Sequence, residues 1–298
     1  MSRIIIQNGN MCELDLPLKF AQKLYNEFAI RHPNAFYLRT RQRGMQNWDG
    51  KIHYITKTGQ FKIGLLPKVY DMCIEMGIKP KVVDMRQPLP KVSKVVTNIG
   101  KYKLRPEQEK AVKSVINNRV GDTPFHIGVL DYTVNAGKTL IMSALYLSYK
   151  KQLKTLLITN DSDWLNQARE EFKQYLPGED ITFVQGKVLN WSNFTIGMVQ
   201  SISRNMRFYQ KELSQIDMVL VDEADQGGSK QYQNVITRLF NTRIRIGLSG
   251  TIYMSKLAKD KVKNMNLECF FGKVIAEFKL KDSIKKGYST KTIVKMVP

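Results

Sequence analysis

The sequence predicts an α/β fold with a parallel sheet, preceded by a small α+β unit. Three observations carry that prediction. Apolar runs of strand length alternate with helical patterns from residue 102 to 280, the signature of parallel strands joined by helical crossovers. One run, at 126–130, leads into D-Y-T-V-N-A-G-K-T at 131–139 and then a helical pattern at 140–148. A strand, a small-residue loop ending in Gly-Lys-Thr and a helix are the parts of a phosphate-binding loop. A third run, at 216–221, delivers Asp222, Glu223 and Asp225 at its end.

With 298 residues and 43% hydrophobic content, the chain fits one large or two medium domains with an ample core. Its 47 Lys+Arg against 26 Asp+Glu give a net charge of +21. A surplus of that size points to a polyanionic partner, nucleic acid ahead of membrane, with a merely soluble basic surface as the alternative. Cys12, Cys73 and Cys269 are scattered and lack C-x-x-C spacing, so buried free thiols are expected rather than disulfides or zinc. His32, His53 and His126 are isolated from them. No signal-peptide core or membrane-length apolar run is present, which fits a soluble, cytoplasm-type protein.

Residues 1–86 read as the small unit. A hairpin is expected around Asn8-Gly9, and Pro17 opens a helix to about Arg31. Residues 35–42, 51–56 and 61–66 read as strands, and 68–76 as a helix ending at Gly77. Arg39, Arg41 and Arg43 alternate along an expected extended segment, so they would share one face and could follow a phosphate backbone. The alternative is a solvated edge strand whose charges block aggregation. Residues 87–101, with two prolines and little periodicity, read as a linker.

In the loop at 131–139, Lys138 would reach the β/γ-phosphates of a nucleotide and Thr139 would complete a Mg²⁺ shell. Asn135, Ala136 and Gly137 would offer backbone N–H groups, and Asn135 tolerates a left-handed backbone. Tyr132 stands where the full pattern has glycine. An ordinary strand–turn–helix with a surface lysine is the competing reading. Two carboxylates at a buried strand end are costly without a cation, and a Mg²⁺–nucleotide supplies one. Asp222 would hold the metal, and Glu223 would orient and deprotonate the attacking water. Asp225 would hydrogen-bond forward to Ser249 and Thr251.

The segment N-W-D-G-K at 47–51, followed by G-L-L-P at 64–67 and E-M-G at 75–77, resembles the N-terminal domain of the UvsW-like phage recombination helicases. In that family a small domain precedes a superfamily-two motor, so the resemblance implies a RecA-like P-loop lobe at 102–280. L-R-P-E-Q at 104–108 resembles the start of such motors, which implies Gln108 as the adenine contact and Arg105 as its support. A solvated helix residue is the alternative for Gln108. S-G-T at 249–251 is similar to the family's S-A-T motif. Met198-Val-Gln-Ser is similar to its T-x-Q-S motif, implying sugar-phosphate contacts by Gln200 and Ser201. Asn160 and Asp161 replace the Pro-Thr of a third motif, and Asp161 would repel a phosphate.

The resemblance implies ATP and Mg²⁺ as cofactors, and branched or single-stranded DNA, or RNA in R-loops, as partner. It also implies a second RecA-like lobe beyond the connection at 281–298, and a place in the host-cell cytoplasm. No stretch like that lobe's Q-x-x-G-R-x-x-R follows Thr251, so these residues are expected to bind nucleotide weakly and turn it over slowly alone. The alternatives are the translocase part of a restriction system, or a nucleotide-gated DNA-binding module that never hydrolyses.

Overall fold

A computed structural model describes residues 2–41, 44–149, 152–188, 191–252 and 258–290. Seven strands form one fully parallel sheet. Across it they run Ile181–Val184, Phe194–Met198, Thr155–Thr159, Met218–Asp222, Ile244–Ser249, His126–Tyr132 and Val274–Phe278. Both faces are covered, which is why these strands read as continuous apolar runs. Leu157, Leu220 and Ile246 join a core under Pro106–Ile116, Lys138–Ser148 and Ser162–Tyr175. Leu156, Val219 and Val221 join the opposite core with Val199–Arg204, Lys230–Ile236 and the end of Ala258–Phe271. The predicted RecA-like α/β lobe is the fold observed.

The N-terminal residues build a four-stranded sheet in the order Gln60–Lys62, Met11–Asp15, Arg3–Ile6 and Lys81–Asp84. Ile4, Ile6 and Phe61 of that sheet, with Val69 of the helix Leu66–Glu75, share one apolar cluster with Phe125, Ile127 and Phe271 of the larger lobe, so the core runs on between them. Gly64 permits that contact, since a Cβ there would stand 2.1 Å from the Glu268 carbonyl oxygen. Arg245 fastens the same seam from inside. Its buried guanidinium donates to Gly9 O at 2.6 Å, Asn10 Oδ1 at 2.8 Å and Phe270 O at 3.1 Å. Burial, with Arg86 nearby, pulls its pKa below the usual arginine range.

Three sequence expectations need correction. The helix expected over 17–31 ends at Glu27, because the chain turns and Ala29–Arg31 pairs antiparallel with Lys51–His53. Residues 35–42 are not a strand: Ala35–Arg41 is an α-helix. Ala35 is buried and Leu38 half-buried, a spacing of three that suits a helix, and Leu38 N–H bonds back to Asn34 O at 3.0 Å. Arg39 and Arg41 therefore diverge by about 200° around an axis instead of sharing a face; Arg43 lies outside the described residues. The strand expected over 61–66 stops at Lys62 and passes through a short 3-10 turn into the helix Leu66–Glu75.

Residues 87–101 lie pinned along the lobe. The Arg243 guanidinium donates to Gln87 O at 3.0 Å, Val96 N–H bonds to Ser148 Oγ at 3.0 Å, and Leu89, Val92 and Val95 pack on the core. Past the strand Ile244–Ser249 the chain forms the helix Ala258–Phe271; residues 253–257 and 291–298, the latter part of the connection expected at 281–298, lie outside the described residues. All three cysteines are buried free thiols. Among the described residues, no helix is long and apolar enough to cross a membrane.

Candidate functional site

The strand His126–Tyr132 and the helix Lys138–Ser148 hold the loop between them in a defined shape. Asn135 and Gly137 both take left-handed backbone angles, φ 63° and 74°. Gly137 has a second constraint, because a Cβ there would stand 2.3 Å from Gln108 Nε2. Gln108 is buried and reaches both ways: its Oε1 accepts from Arg105 N–H and its Nε2 donates to Ala136 O, each at 2.9 Å. The amide expected to face adenine is thus engaged with the loop itself, while Arg105 Nη2 donates to Asn135 O at 3.2 Å. Tyr132, at the absent glycine, is fully buried and donates its hydroxyl to Glu107 O at 2.7 Å.

Lys138 opens the helix with its ammonium 3.6 Å from Asp222 Oδ1, an ion pair too long for a hydrogen bond. Asp222 is 3% exposed, and burial pushes its carboxyl above the ordinary range, with Lys138 opposing. Its Oδ1 is buried and accepts no hydrogen bond among the described residues. Glu223, next in the chain, is exposed and takes a left-handed backbone, φ 52°. Its pKa is also raised, by burial first and then by Asp222, Asp225 and Asp161. Two residues beyond Glu223, Asp225 Oδ1 accepts from Ser249 Oγ at 2.9 Å, and Ser249 Oγ in turn accepts from Thr251 N–H at 3.2 Å.

A buried carboxylate oxygen that accepts no hydrogen bond, paired with a lysine near the Thr139 helix start, fits the donor set of a magnesium-bound polyphosphate. Among the described residues no cluster of His, Cys, Asp and Glu forms an all-protein metal cage.

The expected nucleic-acid residues are more dispersed. Ser201 Oγ accepts from Gly186 N–H at 2.9 Å, and Gln200 Nε2 donates to Asn160 O at 3.4 Å while its Oε1 has no partner among the described residues. Asp161 caps the helix Ser162–Tyr175, accepting from Asp163 and Trp164 N–H groups. Arg41 lies over the Tyr37 ring at 5.1 Å on the exposed short helix.

Sequence reasoning missed the closing of the site's far side. Lys279 pairs with Asp131, Lys286 Nζ lies 2.8 Å from Glu107 Oε2, and the Arg105 guanidinium stacks 4.2 Å from the Tyr288 ring. No local pattern marks these contacts, which join residues far apart in the chain. Arg245 did carry a signal, as a charge inside an otherwise apolar buried strand.

Fold and loop together define a RecA-like P-loop lobe. Residues 101–254 match the family described as Type III restriction enzyme, res subunit, and the chain belongs to that family. The UvsW-like resemblance holds as well. The crystal structure of the UvsW helicase from bacteriophage T4 superposes with a TM-score of 0.69 at 20% identity, covering 93% of this chain and 99% of that one. The T4 ATP-dependent DNA helicase uvsW is 22% identical over 69% of this chain and 43% of its own length. A protein of Acanthamoeba polyphaga mimivirus named as an ATP-dependent RNA helicase is 24% identical over 49% of this chain and 27% of its own. The chain thus spans less than half the length of these two relatives.

Proposed function

We propose that this chain is the nucleotide-binding part of an ATP-dependent helicase or translocase that remodels branched DNA or R-loops. The reading rests on one observation above others: Lys138 and Asp222 meet 3.6 Å apart at the carboxyl edge of a parallel sheet, where such folds bind ligands. Glu223 follows directly. A magnesium–nucleoside triphosphate held there supplies the transferable phosphoryl group and neutralises charge on its oxygens.

The chain's own residues divide the work. Backbone N–H groups of Asn135, Ala136 and Gly137 cradle phosphate at a helix start whose dipole favours negative charge. Lys138 brings a cation to the outer phosphates, and Thr139 and Asp222 supply the metal's protein oxygens. Glu223 takes the proton of the attacking water; its raised pKa makes it a stronger base than an ordinary glutamate. Gln108 and Arg105 tie the base side of the site to the loop. Asp225 passes the local state to Ser249 and Thr251 through the hydrogen bond at 2.9 Å.

We assign residues 1–86 to engaging nucleic acid through Arg39, Arg41 and Arg43, 87–101 to the link, 102–280 to the motor lobe and 281–298 to the connection toward a second lobe. Gln200 and Ser201 would touch the sugar-phosphate backbone. Arginines of the second lobe would complete turnover, as such residues contribute about 10³–10⁵ in rate in related systems. The setting would be the host-cell cytoplasm.

Nucleic-acid-stimulated ATP hydrolysis by the complete protein tests the reading. Glu223→Gln should lower turnover by about 10²–10⁴ while leaving nucleotide affinity intact. An unchanged turnover would remove Glu223 from the chemistry. The matched family's description favours one other reading, a restriction translocase. That reading requires DNA cleavage by the native assembly, which a nicking assay detects.

A further inference from the structure

We propose that Phe208, flanked by Lys187 and Arg207, is a base-stacking site for single-stranded nucleic acid. The proposal rests on the nucleic-acid reading above and adds to it a contact that reads bases rather than backbone.

The ring is 41% exposed on a short turn, Met206–Phe208. Two cations lie over it, Lys187 Nζ at 3.8 Å from the ring centroid and the Arg207 guanidinium carbon at 4.8 Å. Among the described residues neither cation makes an ion pair, so their charge stands uncompensated beside an exposed aromatic face. An exposed cation–π contact alone stabilises little, and two like charges at one ring repel each other. A polyanion with planar bases satisfies all three groups at once.

The site is built rather than incidental. Lys187 follows the strand Ile181–Val184 through Gly186, at φ 88°. Gly186 N–H bonds to Ser201 Oγ at 2.9 Å, and Asn205 Nδ2 donates to Ser201 O at 2.9 Å. The buried Tyr209 hydroxyl accepts from Val188 N–H at 2.8 Å and donates to Gly186 O at 3.4 Å. These bonds hold the lysine-bearing loop against the phenylalanine-bearing turn. Ser201, expected to touch the backbone, serves here as part of that clasp.

Position agrees with chemistry. The lysine segment leaves the carboxyl end of the strand Ile181–Val184, the sheet edge that carries the phosphate loop and Asp222, and the turn Met206–Phe208, which follows the helix Val199–Arg204, is bonded to that segment through Tyr209. Lys187 and Arg207 sit on long rotatable stems, so the ring face can open to a base while both charges turn to the flanking phosphates. Stacking tolerates any base, which suits a motor that moves along sequence without choosing it.

Fluorescence-anisotropy titrations of the chain with an oligothymidylate and an abasic strand of equal length and charge test the site. Wild type should bind the base-bearing strand roughly 5- to 100-fold more tightly, the range that one stacked base supplies. Phe208→Ala and Phe208→Leu should erase that preference, and Phe208→Trp should keep it. Lys187→Ala and Arg207→Ala should weaken both strands and each lower the salt slope by about 1. An oligouridylate run alongside tells whether either backbone is accepted. Equal wild-type affinity for both strands, or a preference surviving in Phe208→Leu, would overturn the stacking site alone. Binding of neither strand would remove the nucleic-acid reading and this site with it. Thermal unfolding of each variant separates a structural role, in which Phe208→Ala lowers stability without changing the preference.

Discussion

At Asp222 the fold carries a carboxylate into its core, and burial outweighs the help of Lys138 in setting its pKa above the ordinary range. A folded-state pKa raised above the unfolded value means that the native protein binds more protons between the two. The resulting destabilisation is therefore fully present above the raised value and fades as pH falls toward the ordinary carboxylate range. Asp222→Asn removes it. In calorimetry at neutral pH without nucleotide, the variant should melt a few degrees above wild type, yet gain nothing from added Mg²⁺–nucleotide. A variant that melts lower, or is still stabilised by nucleotide, contradicts this assignment. The acidic residues themselves stood out in the sequence, because two carboxylates at the end of a buried apolar run are costly without a cation. Their geometry did not: the left-handed backbone at Glu223 has no sequence mark, and Gln108, expected to face adenine, has its amide buried against the loop.

Among the elements, the phosphate loop departs most from pattern and explains the departure best. Tyr132 replaces a glycine, and its ring fills the core between the sheet and the helix Pro106–Ile116, anchored by the hydroxyl on Glu107 O at 2.7 Å. Left-handed turning is supplied instead by Asn135 and Gly137. Urea denaturation should show Tyr132→Phe costing about 1 kcal/mol, the worth of one buried hydrogen bond. Tyr132→Gly should cost at least about 3 kcal/mol, as a large cavity opens. A stable glycine variant would mean the ring is not structural. The short helix Ala35–Arg41 teaches the opposite lesson. Its alternating arginines imitate a strand's period of two, while the helical signal consists only of Ala35 and Leu38, too few residues to outvote them.

For the molecule as a whole, strand–helix alternation was enough to foresee the parallel sheet, since both faces of each strand had to be apolar. The union of the small unit with the lobe was hidden, because it depends on contacts such as Arg245 to Gly9 and Asn10 across most of the chain. Those contacts, and an apolar cluster spanning both sheets, predict one cooperative thermal transition for the chain. Two separated transitions in scanning calorimetry would show that the units unfold independently.

The central claim is that Lys138, Thr139, Asp222 and Glu223 surround one magnesium-bound nucleotide. Isothermal titration of Mg²⁺–ADP into wild type and Lys138→Ala measures it most directly. Wild type should take up one nucleotide per chain, with affinity falling at least about tenfold in the variant and without magnesium. Equal affinities in all three titrations would contradict the account.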